Sequence, residues 1–141
     1  MHLEYLCEFV MSYDEHGFTV ITPFAGQEGQ GFGTGVGEAK GEKLSGPMRW
    51  SNYARMTDDG VFLPDVRGVV MTEEGPVLFE LHGTSILPNP GDTMRNIAAS
   101  VVLRAQADKH KWLNHSLVVQ SGAIDFSTAT VTVQTYVCSS D

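Results

Sequence analysis

A chain of 141 residues, 42% hydrophobic and 18% charged, has the composition of one globular domain over residues 1–141, long enough to bury a core and too short for two ordinary units. A formal net charge of −8 argues against nucleic acid or an anionic membrane as a partner, since both select basic surfaces. No apolar run approaches the roughly 20 residues of a membrane span, and MHLEYLCEFV carries Glu4 and Glu8 without a basic lead, unlike a signal peptide, so a cytoplasmic location is the default expectation.

Residues 3–13 alternate and predict a first strand, with Leu3, Tyr5, Cys7, Phe9 and Met11 on its core face. A turn at Asp14-Glu15-His16-Gly17 leads to a short strand, Phe18 to Thr22, ended by Pro23. Residues 26–46 then carry more than half of the chain's 15 glycines. Within them, Gly33-Thr34-Gly35-Val36-Gly37 has the spacing of a nucleotide loop. No apolar parallel strand precedes it and no helix-forming run follows, so the phosphate reading fails on context. Glycines in such a stretch predict bulges, barrel corners or the close approach of another backbone. Residues 48–57 predict the next strand, with Arg49, Ser51, Tyr53 and Arg55 on one face and Trp50, Asn52 and Ala54 on the other.

Asp58-Asp59-Gly60 is a turn into the stretch that organises the rest, DGVFLPDVRGVVMTEEGPVLFELHGTSI, residues 59–86. It reads as a hairpin turning at Glu73-Glu74-Gly75-Pro76. An even-numbered loop of two or four residues pairs Thr72 with Val77, Val70 with Phe79 and Arg67 with His82. Alternation then puts Val66, Gly68, Val70, Phe79, Leu81 and Gly83 on one face, and Asp65, Arg67, Glu80, His82 and Thr84 on the other. Two readings compete for the charged face. It is the solvated outside of a half-buried sheet, or it lines a cavity inside a closed one.

LPNPGD, residues 87–92, is a loop, and Thr93 to Ala98 either holds one helical turn or opens the next strand. Ile97 to Gln106 alternates and reads as β. Asp108 to Asn114 is a short helical or 3₁₀ connector, Ser116 to Gln120 a strand, Ser121-Gly122 a break, and Thr128 to Cys138 the last strand, with Val131, Val133 and Val137 inward. Eight or nine short strands with almost no helix predict an all-β domain: a sandwich or, better, an antiparallel up-and-down β-barrel of about eight strands, lipocalin-like in kind. Cys7 and Cys138 are expected to be free thiols. Neither they nor the five histidines have zinc-type spacing, so no metal and no cofactor is expected.

Two segments carry a resemblance. One is GEKLSG (residues 41–46) with Trp50 and DGVFLPDVRGVVMTEEG; the other is ADKHKWLNHSLVVQSG (residues 107–122) with the run ending TVTVQTYVC. Together they resemble the family called domain of unknown function 3237, small bacterial single-domain proteins. Its most specific pieces match Asp59-Gly60 with Asp65 and Arg67, and Trp112-Leu113-Asn114. The resemblance implies a compact antiparallel β-barrel, often a homodimer, and no particular reaction. Members typically carry other residues where this chain has Glu80 and His82.

Asp65, Arg67, Glu80 and His82 are the candidate chemistry. If their face lines a cavity, His82, Glu80 and Asp65 supply general acid and base, and Arg67 holds a carboxylate or enolate oxygen. Trp50, Met71, Arg104 and Trp112 are the further candidate contacts to a small-molecule ligand. The bland alternatives are cross-strand fastening for Asp65 and Arg67, and a barrel plug for Trp112. Three functional readings follow: a cofactor-independent lyase, isomerase or cyclase acting in the lumen on a small carbonyl or polyketide-like compound, a non-catalytic ligand-binding barrel, or a solidly packed structural barrel.

Overall fold

Alternating inward apolar and outward polar side chains run through nearly every extended segment, and here the sheet that buries one face closes on itself through pairing of its first long strand with its third. The structure, a computed structural model, describes residues 1–140. Its strands are β1 (His2–Tyr13), β2 (Thr19–Ile21), β3 (Gly29–Lys40), β4 (Gly46–Asn52), β5 (Arg55–Met56), β6 (Phe62–Leu63), β7 (Asp65–Thr72), β8 (Gly75–Ile86), β9 (Met94–Ala105), β10 (Leu117–Asp125) and β11 (Thr130–Ser139), with a 3₁₀ helix over Lys111–His115. Eight of them form a closed antiparallel barrel in the ring order β1–β11–β10–β9–β8–β7–β4–β3, with β3 returning to β1. The short β2 pairs with β3. The equally short β5 and β6 form a strap over one end, joining Gly29 on β3 to Ser85 on β8. The 3₁₀ helix sits at the other end, where the Asn114 side chain both donates to and accepts from the Ala105 backbone at 2.8 Å.

The lumen is filled. Phe9, Met11, Trp50, Val70, Phe79 and Leu103 meet there with Val118 and Val133, all buried. A buried polar pair stands among them: Gln120 Nε2 donates to Thr135 Oγ1 at 3.0 Å, both residues enclosed.

Four local features depart from the sequence expectation, each for a physical reason. The glycine-rich segment is a full-length strand, β3, because its inward glycines are seats for aromatic rings. A Cβ on Gly31 would stand 2.2 Å from the Phe18 ring, on Gly33 2.6 Å from Tyr13, and on Gly35 2.5 Å from Trp50. Gly122 does not break β10, since it lies where β11 approaches so closely that a Cβ would meet Thr132 O at 2.0 Å. A bulge between Tyr5 and Cys7 swaps the faces of β1, so Cys7, Phe9 and Met11 are core while Leu3 and Tyr5 are exposed. The β7–β8 loop is the shorter of the two expected lengths, two residues, Glu73-Glu74, and the pairing differs from the expected one. Thr72 therefore pairs with Gly75, Val70 with Val77, Arg67 with Glu80 and Asp65 with His82. The slip is an even two residues, so the faces keep their sorting while every partner changes. Among the described residues no helix is long and apolar enough to cross a membrane.

Candidate functional site

Because β7 and β8 alternate in register, Asp65, Arg67, Glu80 and His82 emerge together, and they emerge on the outside. The side chains of Arg67 and His82 are 62% and 49% exposed, and Glu80 is comparable. A lumen site built on this face is thus overturned: Val66, Val70, Phe79 and Leu81 occupy the inner face, and the interior volume is spent on them.

On the outer face the charges form a chain. Asp65 is the most covered, at 34%. Its Oδ1 lies 3.0 Å from His82 Nε2 and accepts from Arg67 Nε at 3.3 Å, while Arg67 Nη1 reaches Glu80 Oε1 at 3.9 Å. A carboxylate against Nε2 selects the tautomer with its proton there and leaves Nδ1 as the basic nitrogen of His82. Asp65 is held from behind. Its backbone N–H donates to the buried Asn52 Oδ1 at 3.2 Å, its carbonyl accepts from Tyr53 N at 3.0 Å, and Asn52 Nδ2 donates to Tyr13 Oη at 3.2 Å. The Asp65–His82 pair thus stands on a hydrogen-bonded rung.

A cleft of about 360 Å³ opens beside this pair, between the strap and β8, with Gln30, Tyr53, Arg55 and Leu63 as its other walls. Arg55 is tied loosely to Glu28 at 3.5 Å, so two guanidinium groups, Arg55 and Arg67, flank the His82–Asp65 pair. A second outer groove, also about 360 Å³, runs between Arg67, Leu78, Glu80, Val102 and Arg104.

The remaining candidates separate from this cluster. Arg104 stands directly across from Leu78 on the same outer face, within reach of the second groove. Met71 is exposed but lies toward the far end of β7. Trp50 turns into the lumen, where its Nε1 donates to Val36 O at 3.0 Å; only an edge shows at the surface, so it is core rather than ligand wall. Trp112 belongs to the connector at the opposite end, exposed, with Lys43 Nζ 5.8 Å from its ring centre; it is remote from this site and does not plug the barrel, since the buried residue of the connector is Leu113. Among the described residues no group of three or more His, Cys, Asp and Glu is placed to hold a metal ion.

One residue with an unusual environment has no signal in the sequence. Arg95 on β9 points inward and is only 7% exposed. The segment around it reads equally as a helical turn or a strand, and nothing in the residue types marks which way it faces.

The whole barrel recurs in solved structures. A protein of unknown function from Clostridium acetobutylicum superposes with a TM-score of 0.85 at 14% identity, covering 99% of this chain and 100% of its own. A β-barrel-like protein from Acinetobacter baumannii does so at 0.82 and 15%, covering 96% and 94%. An enzyme from Penicillium herquei matches at 0.65 and 15%, covering 96% and 92%. What is shared is the fold. No family model and no curated protein matches the chain.

Proposed function

We propose that this barrel binds a small carbonyl compound bearing an anionic group in the outer cleft beside β8, and moves a proton on it without a cofactor. The observation that carries this reading is the Asp65–His82 pair: a histidine whose one nitrogen is committed to a carboxylate, at the rim of a cleft that Arg55 lines, with Arg67 bound to the same carboxylate from the neighbouring groove. In that arrangement His82 takes a proton next to the carbonyl, Asp65 orients the ring, and Arg67 or Arg55 receives the enolate oxygen. Isomerisation, elimination and ring closure begin with that step, and hydration of a conjugated carbonyl runs it in reverse. The likeness of the fold to a fungal enzyme is consistent with chemistry on such a scaffold. The same reading takes the chain as a member of the domain of unknown function 3237 family.

A non-catalytic binder is the second reading, and the half-exposure of His82 and Arg67 favours it, because a wet site weakens electrostatic catalysis. Deuterium uptake at the methyl group of pyruvate and the central methylene of acetylacetone, followed by NMR in D₂O, separates the two. Catalysis predicts exchange above an imidazole-matched buffer, lost on the order of 10²-fold in His82→Ala with the fold intact. Exchange at the buffer rate, or unchanged in His82→Ala, removes the proton-transfer role. Saturable thermal stabilisation by such a compound, recovered unaltered, then establishes the binder.

We also propose that a second copy of the chain covers the neighbouring outer face. Leu78, Met71, Val102 and Val36 are exposed there among Arg49, Arg67, Arg104 and Glu80. Apolar contacts ringed by both signs of charge suit a two-fold interface that meets itself.

A further inference from the structure

The end of the barrel under the strap has a composition unlike the rest of the surface. Five aromatic rings follow one another across it: Trp50 to Tyr13 at 4.8 Å between centres, Tyr13 to Phe18 at 5.4 Å, Phe18 to Phe62 at 5.9 Å and Phe62 to Phe126 at 6.4 Å. Trp50 is the buried end of this row and Phe126 the exposed one. Over Phe62, 4.8 Å from its centre, lies the guanidinium of Arg95.

That guanidinium is buried without an anion. Nε donates to Ser85 Oγ at 3.2 Å, and Nη2 donates to Ser85 O at 2.9 Å and Gly60 O at 2.7 Å. All three acceptors are neutral. Among the described residues no carboxylate lies within ion-pair distance of Arg95, and Nη1 has no acceptor yet is not sealed off. Enclosing a positive charge without a counter-charge is costly, and here burial pulls the Arg95 pKa below the ordinary guanidinium value. The shortage of partners is not a shortage of acids, for the chain has 17 Asp and Glu against 9 Lys and Arg. Three acids of the surrounding loops are engaged elsewhere: Asp14 with Thr34 and His16, Asp59 with Thr57, and Asp125 with Ser127.

We infer that Arg95 and the ring row form a second binding site, distinct from the outer cleft, for a flat aromatic carboxylate. The carboxylate takes the open Nη1 edge and the position now held by Gly60 O, which makes a forked contact with the guanidinium, and the ring lies against Phe62, Phe18 and Phe126. Entry requires the strap to lift. The strap is attached through β5 and β6, strands of two residues each, and Arg95 itself is one of its fastenings through Gly60.

The test titrates the full chain with benzoate and 2-naphthoate, and with benzamide as the neutral counterpart, following the Arg95 Nε–H resonance and the heat of binding. The site predicts saturable carboxylate binding that shifts that resonance. It also predicts at least tenfold tighter binding of benzoate than of benzamide, and at least tenfold weakening in Arg95→Met. Phe62→Ala should weaken 2-naphthoate more than benzoate, a readout that survives if Arg95→Met does not fold. Equal affinity for acid and amide, undiminished binding by Arg95→Met, or no shift of the Arg95 resonance at saturation would each overturn the site and leave Arg95 as a fastening for the strap. His82-dependent deuterium exchange reads the outer cleft separately, so either proposal can fail without the other.

Discussion

Cys7 sits in the wall of the barrel with its thiol turned into the core beside Thr135, and burial pushes its pKa up to about 12 from an ordinary 9.0. The native state therefore keeps the proton where the unfolded chain loses it. The resulting stabilisation is complete below pH 9 and is lost as the pH rises from there toward 12. Thermal melts across that window should fall in wild type and fall less steeply in Cys7→Ala. At neutral pH a thiol reagent should modify Cys138 alone in the folded protein and both cysteines after denaturation, because thiolate and access are needed together. Rapid modification of Cys7 in the native state would contradict the packing described for β1. Asp65, Arg67, Glu80 and His82 were legible as a group from alternation alone, since even spacing along two strands fixes a common face. Which side of the barrel they faced was not, because a pattern of two faces does not say which is concave. Arg95 was hidden for a further reason: an inward arginine contradicts the pattern that reveals strands in the first place.

At the scale of elements, β3 is the strand whose sequence says least, and its glycines are closely packed. A methyl group on Gly35 would lie 2.1 Å from Ser12 O as well as against the Trp50 ring, and backbone cannot retreat as a side chain can. Gly35→Ala should cost on the order of 1–3 kcal/mol or more in urea unfolding, the range of overpacked cores. Val36→Ala, one residue along and facing out, should stay within about 0.5 kcal/mol. Comparable midpoints for the two variants would show that the ring seat is not tight. The strands with ordinary side chains (β1, β4, β7, β8, β9 and β11) announced themselves through alternation, whereas β3 was visible only as a run of glycines. Its aromatic occupants, Phe18, Tyr13 and Trp50, come from other segments, and no local window contains both seat and ring. The hairpin partners were missed by two residues because Gly75 and Pro76 read as loop but belong to the strand. Thr72 Oγ1 closes the two-residue turn by donating to Gly75 O at 2.6 Å.

For the whole molecule, the proposed self-association and the barrel itself are independent, and a surface substitution separates them. Wild type should sediment as a dimer at micromolar concentration, and Leu78→Asp, which puts a buried charge at the centre of the proposed contact, should sediment as a monomer with an unchanged circular dichroism spectrum. A monomeric wild type would end the dimer proposal and leave the fold untouched. The ring closes through β1, which pairs with β3 on one side and with β11 on the other, so residues 2–13 meet residues 130–139 across nearly the whole sequence. A ribosome delivers β11 last. Until it emerges, β1 and β10 both present bare edges, and the apolar interior has a slot down its length. Closure of the ring consequently waits on long-range pairing with the last barrel strand, and a nascent chain stalled before residue 130 is a gap-sided trough with its apolar interior exposed.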